Sequence, residues 1–323
     1  MDKTALPAAV STYVAPLSFL LLLAIVLTLL SPNFATRNNL KQIAIQTAVV
    51  AILACGQTAV VISGHIDLSV GAVMALSGVA AAQAMVHYQA GVVGGVMVAC
   101  LCGLGLGTLS GLLTAYGHIP SFIVTLGMMG IAYGVAGIVS GSVNIGGLPE
   151  EFSVFGFGEL FGSAQREGIP YAVLMMLVAA VTVHTALTRT RWGRSLYAIG
   201  GNREAARLSG ISLARSITSV FALSGFLAGF AAVLNISRTT VATKAAGIGY
   251  ELDAIAATVI GGTSLFGGQG GIPGTIIGAF LMFTLRNGCD LNQLGPDHQR
   301  AIIGGVVILA VLYDRFGTGR RQR

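Results

Sequence analysis

Residues 47–71 read TAVVAILACGQTAVVISGHIDLSVG. The run is apolar apart from hydroxyls and Gln57. It breaks at Gly64-His65, meets one carboxylate at Asp67, and resumes as apolar sequence at Val70. The flanks are just as poor in charge. Between Lys41 and Glu150 lie 108 residues, and Asp67 is the only Asp, Glu, Lys or Arg among them. A spanning helix needs about 20 mostly apolar residues, so this stretch holds several. The whole chain of 323 residues is 9% charged and 54% hydrophobic, with mean hydropathy +0.81. Soluble domains carry about 25% charge because water must wet their surface. These values exclude an ordinary soluble enzyme, a disordered chain and a disulfide scaffold. They predict an all-α fold, a polytopic transmembrane helix bundle forming a single domain over 1–323 in a lipid bilayer.

Ten spans follow from the hydropathy pattern: 14–31, 45–63, 68–87, 91–116, 121–140, 170–188, 213–235, 251–266, 273–286 and 300–314. The eighth and ninth are short and Gly-rich, which predicts broken helices near 251–286. The first run is long enough to span, and no small-residue cleavage site follows it. Charge bias sets the orientation, because basic residues flank spans on the cytoplasmic side. The segment Arg189–Arg215 holds six Arg and one Glu, and the tail Asp314–Arg323 has a net charge of +3. Both are expected inside, and so is the N-terminus. The segment 141–169, with four Glu and one Arg, is expected outside. Arg37 and Lys41 then fall on the outer side, against the trend. The net charge of +6 is explained by this flanking and does not call for a nucleic-acid partner.

The 45 glycines are costly in soluble helices but let membrane helices approach closely. Gly103, Gly107 and Gly111 are spaced by four, as are Gly130 and Gly134, Gly225 and Gly229, and Gly274 and Gly278. Four-residue spacing puts each set on one helix face, where a second helix is expected to pack. Cys55, Cys100, Cys102 and Cys289 form no CxxC pair, and the three in apolar runs read as small core residues.

Soluble-enzyme chemistry finds little support. A phosphate-binding GxxxxGK[ST] loop needs a lysine after glycine, and none of Lys3, Lys41 and Lys244 follows one. His65, His87, His118, His184 and His298 are scattered, without metal-ligand spacing. Asp67 reads first as a helix-start residue: it or Ser69 accepts N–H bonds where the next helix begins. A direct part in gating is the alternative, because ionisable groups at membrane depth are usually functional. From Thr190 to Ile211 the chain reads TRWGRSLYAIGGNREAARLSGI. Asn202 suits an N-cap, Gly210 a C′ stop, and Arg207 a helix C-terminus. A helix of about two turns cannot stand alone. Tyr197, Leu208 and Ile211 give the segment an apolar face for a partner.

Glu204-Ala205-Ala206, three residues, then Gly210 resembles the EAA-type coupling segment of ATP-binding-cassette importer permeases. The run Arg191–Ile211 is similar to the ribose-type, monosaccharide branch of that superfamily. Gly64–Gly71 resembles that branch's Gly-Gly-Ile-Asp-Leu-Ser-Val-Gly, with His65 in place of a Gly. Gly249-Tyr250-Glu251-Leu252-Asp253 through Gly261-Gly262-Thr263-Ser264-Leu265-Phe266-Gly267-Gly268-Gln269-Gly270 is a third match. The order and spacing of these motifs extend the likeness over nearly the whole chain.

The resemblance implies an inner-membrane permease and transport subunit, not itself an enzyme. Its partners would be two ATP-binding-cassette ATPase subunits, a periplasmic sugar-binding protein, and a second permease copy or paralogue. No cofactor is expected on this chain; ATP and Mg belong to the ATPase subunits. It further implies that 189–212 is a cytoplasmic coupling segment working through Asn202, Glu204, Ala205, Ala206, Arg207 and Gly210, and that 141–169 is a periplasmic loop. Pathway or gating candidates are Gln57, Asp67, Ser69, Tyr133, Glu251, Asp253, Thr263 and Ser264, with Ser63, Tyr116, Asn235 and Gln269 as further polar groups. The cargo implied is a ribose-like pentose or a hexose. Nucleosides, an autoinducer or branched-chain amino acids are alternatives within the same ATP-driven class. An ion-coupled secondary transporter is the competing class, and it would need intramembrane acids that are scarce here.

Overall fold

A computed structural model describes residues 8–162, 168–295, 297–299, 301–306 and 308. Its elements in chain order are α1 Ala8–Leu30, α2 Arg37–Ile62, α3 Val70–Val86, α4 Gly91–Ala115 and α5 Ser121–Val139. Next come a 3-10 turn, Glu150–Ser153, the one-turn α6 Val154–Phe157, and a two-stranded antiparallel hairpin of β1 Glu159–Leu160 and β2 Ile169–Pro170. Then follow α7 Tyr171–Arg189, α8 Arg191–Gly201, α9 Arg203–Leu208, α10 Leu213–Thr239, α11 Tyr250–Ile260 and α12 Ile272–Leu291. The chain is an all-α polytopic bundle. Among the described residues six helices, α1, α2, α4, α5, α7 and α10, are long and apolar enough to cross a membrane.

The central helix is α2, in which every residue from Thr47 to Ile62 is buried. It packs on α10, α7, α12 and α11. The most extensive helix pair is α4 with α10, and glycine is the reason. A Cβ at Gly103 would overlap the Gly225 carbonyl oxygen, and one at Gly107 would overlap that of Phe221. Removing the side chains lets the two backbones touch, which maximises dispersion contact where no hydrophobic effect drives association. Gly274 and Gly278 bring α12 against α11 in the same way. The pair Gly130 and Gly134 differs: no described atom lies within 4 Å of where their Cβ atoms would be. Their face of α5 carries Ile123, Ile131 and Ile138, all exposed.

Several boundaries depart from the sequence expectations, each for a physical reason. In place of the predicted span 251–266 stands α11, Tyr250–Ile260, of only 11 residues, about 16 Å long, or half a bilayer core. It stops where Gly261 and Gly262 follow, the latter at φ +89. The next helix is longer than 273–286 suggests: α12 runs 20 residues to Leu291, because Arg286 finds a buried partner. The segment 141–169 holds α6 and the hairpin. Glu159 there pairs with Lys41 at the start of α2, so the out-of-trend basic residue meets the acidic segment. The predicted span 300–314 falls largely outside the described residues, although 301–306 and 308 are helical. The basic tail Asp314–Arg323 lies outside them entirely.

Candidate functional site

Between α2 and α3 the backbone leaves helical geometry for Ser63–Ser69. Asp67, 2% exposed, is held there. Its Oδ1 accepts from the Ser69 backbone N–H at 2.9 Å and from the Ser69 hydroxyl at 2.6 Å. Its Oδ2 accepts from the Ser224 hydroxyl of α10 at 2.9 Å. Asp67 thus supplies the helix-start acceptor, whereas the Ser69 side chain makes no cap bond and donates to Asp67 instead. Ser224 stands eleven residues past Leu213, about 16 Å along α10, so the Asp67 end of this irregular segment lies deep in the bundle. Non-helical backbone is tolerated at such depth only where protein satisfies it. Here the Ile66 N–H donates to Ser121 Oγ, the Thr125 hydroxyl donates to the Ile66 carbonyl, and Ser63 Oγ lies 3.1 Å from His65 Nδ1.

A second polar group joins α2, α11 and α12. The Thr58 hydroxyl is 2.6 Å from that of Thr275 and 3.3 Å from that of Thr258, all three fully buried. One residue earlier, Gln57 is fully buried with neither amide atom partnered. Buried polar groups are ordinarily satisfied, so this amide has capacity for a bond that the chain itself does not make. Tyr133 and Glu251 repeat the pattern. Glu251 Oε1 accepts from the Gly249 N–H, but Oε2 and the Tyr133 hydroxyl are buried without partners. The two residues are within electrostatic reach of each other. Gly71 lies against Glu251, so close that a Cβ there would meet Glu251 Oε2 and overlap the Gly247 carbonyl oxygen.

Asp253 is committed elsewhere. Its carboxylate accepts from Arg286 Nη2 at 3.1 and 3.3 Å, and that guanidinium lies 5.2 Å from the Phe283 ring centroid. Asn39 and Asn287 exchange amide hydrogen bonds at 2.8 and 2.9 Å, tying α2 to α12 beside it. Arg286 was missed by the sequence reading, although an arginine inside an apolar helix is itself a signal for a buried partner. Thr263 is 1% exposed with an unpartnered hydroxyl, and Ser264 only bridges its own turn, bonding Gln269 and Phe266. Asn235 is buried, while Tyr116 is 61% exposed and away from the buried polar groups.

The segment α8–α9 is built in two parts. α8 docks: Leu196 and Ile199 are buried, the Trp192 indole N–H donates to Ser219 Oγ of α10 at 2.7 Å, and the Tyr197 hydroxyl donates to the Gly270 carbonyl at 2.9 Å. Gly200 sits directly against the Ile62 carbonyl that ends α2 and the Gly268 N–H, which itself donates to Ile62. The end of α2, the 261–271 loop and α8 thus meet at one backbone junction. α9 stands off. Asn202 Oδ1 accepts from the Ala205 N–H at 2.9 Å, a cap of about 1 kcal/mol. At the other end Ile211 N–H bonds Ala206 and Gly210 N–H bonds Arg207, with Gly210 at φ +81. This is a Schellman stop. Ala206 is buried beneath the helix, while Glu204 and Arg207 pair at 2.6 Å on its outer face. Leu208 is 76% exposed. The Arg207 guanidinium holds the Glu204 carboxyl below the usual glutamate range.

A multi-pass helix bundle, broken at depth by buried polar segments and carrying a doubly capped amphipathic elbow at one end, defines a membrane transport subunit. The chain belongs to the family described as branched-chain amino acid transport system, permease component, whose model matches residues 39–311. It is 42% identical to the ribose import permease of Escherichia coli strain K12, over 92% of each chain. It is 38% identical to the D-allose transport system permease of the same organism, covering 88% of this chain and 86% of that one. The galactose/methyl galactoside import permease of Salmonella typhimurium is 32% identical over 94% of each. No solved structure matches the chain. The protein is a permease component of ATP-binding-cassette import, a transport subunit and not an enzyme.

Proposed function

We propose that the chain is the membrane-spanning subunit of an inner-membrane importer that moves a monosaccharide, a ribose-like pentose or a hexose, into the cytoplasm. The carrying observation is the 42% identity to a ribose import permease over 92% of both chains. The likeness to allose and galactose permeases supports the same class of cargo. In this reading the chain is multi-pass with both termini cytoplasmic, 141–169 is periplasmic, and 189–212 is cytoplasmic. Two ATP-binding-cassette subunits bring ATP and Mg, a periplasmic sugar-binding protein delivers the cargo, and a second permease copy or paralogue completes the path.

The geometry supports a route for the power stroke. α9 presents Glu204, Arg207 and Leu208 outward as a small rigid grip. Movement of α9 passes to α8 through Asn202. From α8 it reaches α2 and the 261–271 loop at Gly200, and α10 at Trp192. α2 leads into the Asp67 break, where one side of the segment is held by Ser224. Packed interfaces switch between discrete arrangements and do not bend continuously, so tilting α8 repositions this break and with it Gln57, Tyr133 and Glu251, whose unmet hydrogen-bonding capacity suits sugar hydroxyls in transit. Cargo shifts the equilibrium only by its differential affinity for the two arrangements.

The test is reconstitution in liposomes with labelled ribose, allose, galactose and leucine. With ATPase subunits, binding protein and ATP, one of the sugars accumulates; the chain alone accumulates none. Leucine uptake in place of sugar would favour the amino-acid reading that the family description carries. Concentrative uptake by the chain alone under an ion gradient would overturn the ATP-driven mechanism.

A further inference from the structure

A cavity of about 510 Å3 opens where the α4–α5 turn faces α9. Its lining includes His65, His118, Arg203, Ser121, Phe122 and Leu265, and no Asp or Glu is among the lining residues. The guanidinium in this lining has no counter-charge beside it. Of the two arginines on α9, Arg207 is paired with Glu204, whereas Arg203 makes no hydrogen bond or ion pair among the described residues. The His118 side chain makes none either. His65 is 8% exposed, its Nδ1 turned to Ser63, and it lies within electrostatic reach of Arg203. The Arg203 guanidinium thus faces a space that offers it no carboxylate, and an anion there would supply the missing partner.

The shape narrows the anion. The space is far larger than a monatomic ion needs. A guanidinium fork matches the paired oxygens of phosphate bidentately, and the His118 imidazole adds one N–H donor, while His65 is engaged with Ser63. The rim is apolar: Ile119 is 38% and Phe122 52% exposed, continuing onto the exposed flank of α5 at Leu126. Phosphate at the centre with carbon at the edge is the chemistry of a phosphate ester.

We propose that this cavity binds a phosphate ester through Arg203 and His118, beside the coupling helix. Two sources carry that chemistry: an acidic phospholipid headgroup of the adjoining leaflet, its chains lying along α5, and a phosphorylated metabolite in the cytoplasm. Either ligand would brace α9 against the α4–α5 turn and so bias the same element that the ATPase subunits grip. The cytoplasmic placement rests on the orientation proposed above, but binding in detergent does not, so failure of one is separable from failure of the other.

The experiment is native mass spectrometry of the assembled transporter, delipidated and titrated with phosphatidylglycerol, with phosphatidylcholine as control, and separately with ribose 5-phosphate. Wild type is expected to retain one anionic ligand per permease chain. The double variant Arg203→Gln/His118→Gln should weaken retention about tenfold, the scale of losing a charge-assisted bond. Arg191→Gln, an exposed basic residue outside the cavity, should not. The single variant His118→Gln, at an exposed turn, gives an intermediate loss and serves if the double variant does not assemble. Saturation by phosphatidylglycerol alone assigns the lipid source, by ribose 5-phosphate alone the metabolite, and mutual displacement both. Equal retention by wild type and the cavity variants, or no selectivity over phosphatidylcholine together with no ribose 5-phosphate bound, overturns the proposal.

Discussion

Asp67 shows how a single residue can be conspicuous in sequence and still be defined by a distant neighbour. As the lone acid in a long apolar half it is visible at once. That it holds a backbone N–H and two hydroxyls, one of them from Ser224, 157 residues away, is not. Replacing Asp67 with Ala leaves those three donors buried without an acceptor, and each such orphan costs about 1–3 kcal/mol. Asp67→Ala should therefore lower the melting temperature in detergent clearly, and Asp67→Asn, which keeps one carbonyl acceptor, should lower it less. Equal melting of Asp67→Ala and wild type would remove the structural role assigned here. The unpartnered amide of Gln57 and the Glu251–Tyr133 pair belong to the same scale. Their polarity is legible from the sequence, but their lack of partners is a fact of packing.

Among the elements, glycine spacing carries most of the legible information and also its limit. The fourfold spacing at 103–111 and at 130–134 looks the same in one dimension. Among the described residues only the first meets another helix, because α10 offers Gly225 and Gly229 at matching height. The expected contrast is sharp. Gly103→Val, which drives a side chain into the α10 backbone, should abolish accumulation of folded protein. Gly105→Val, on the open face of the same helix with no atom within 4 Å, should leave yield and melting near wild type. Size-exclusion profiles after mild solubilisation decide it. The elbow is the other element whose role can be separated from folding. Glu204→Lys reverses an exposed charge, and Gly210→Pro disrupts the Schellman stop, yet both lie outside the packed core. Each should leave the bundle assembled while ATP hydrolysis by the partner subunits becomes uncoupled from uptake. Wild-type transport by either variant would show that α9 does not carry the stroke. Its caps were readable from Asn202 and Gly210. The division of labour between a docked α8 and an exposed α9 was not: Tyr197 points into the bundle, while Leu208 points away.

Across the whole molecule, one ion pair ties the acidic segment to the start of the central helix. Lys41 holds the Glu159 carboxyl below the usual glutamate range, and the Gly168 N–H assists. A carboxyl whose folded pKa is lowered contributes stability that is present above its unfolded value and lost as pH falls through the folded one. The melting difference between wild type and Glu159→Gln should thus be positive at neutral pH, shrink as pH drops below the usual carboxylate range, and diminish in high salt, since the pair is partly exposed. A difference independent of pH would mean that the contact is packing alone. What the amino-acid order determined unaided was the solvent, the class of fold, most helix limits and the elbow's caps. All of these depend on local composition and on neighbours within a few positions, because lipid forces each segment to satisfy its own backbone. Which glycine face is occupied, where Arg286 finds Asp253, and how Gly200 joins the end of α2 were decided only in three dimensions. Those contacts unite residues far apart in the chain, and periodicity along one helix contains no information about the height or rotation of its neighbour.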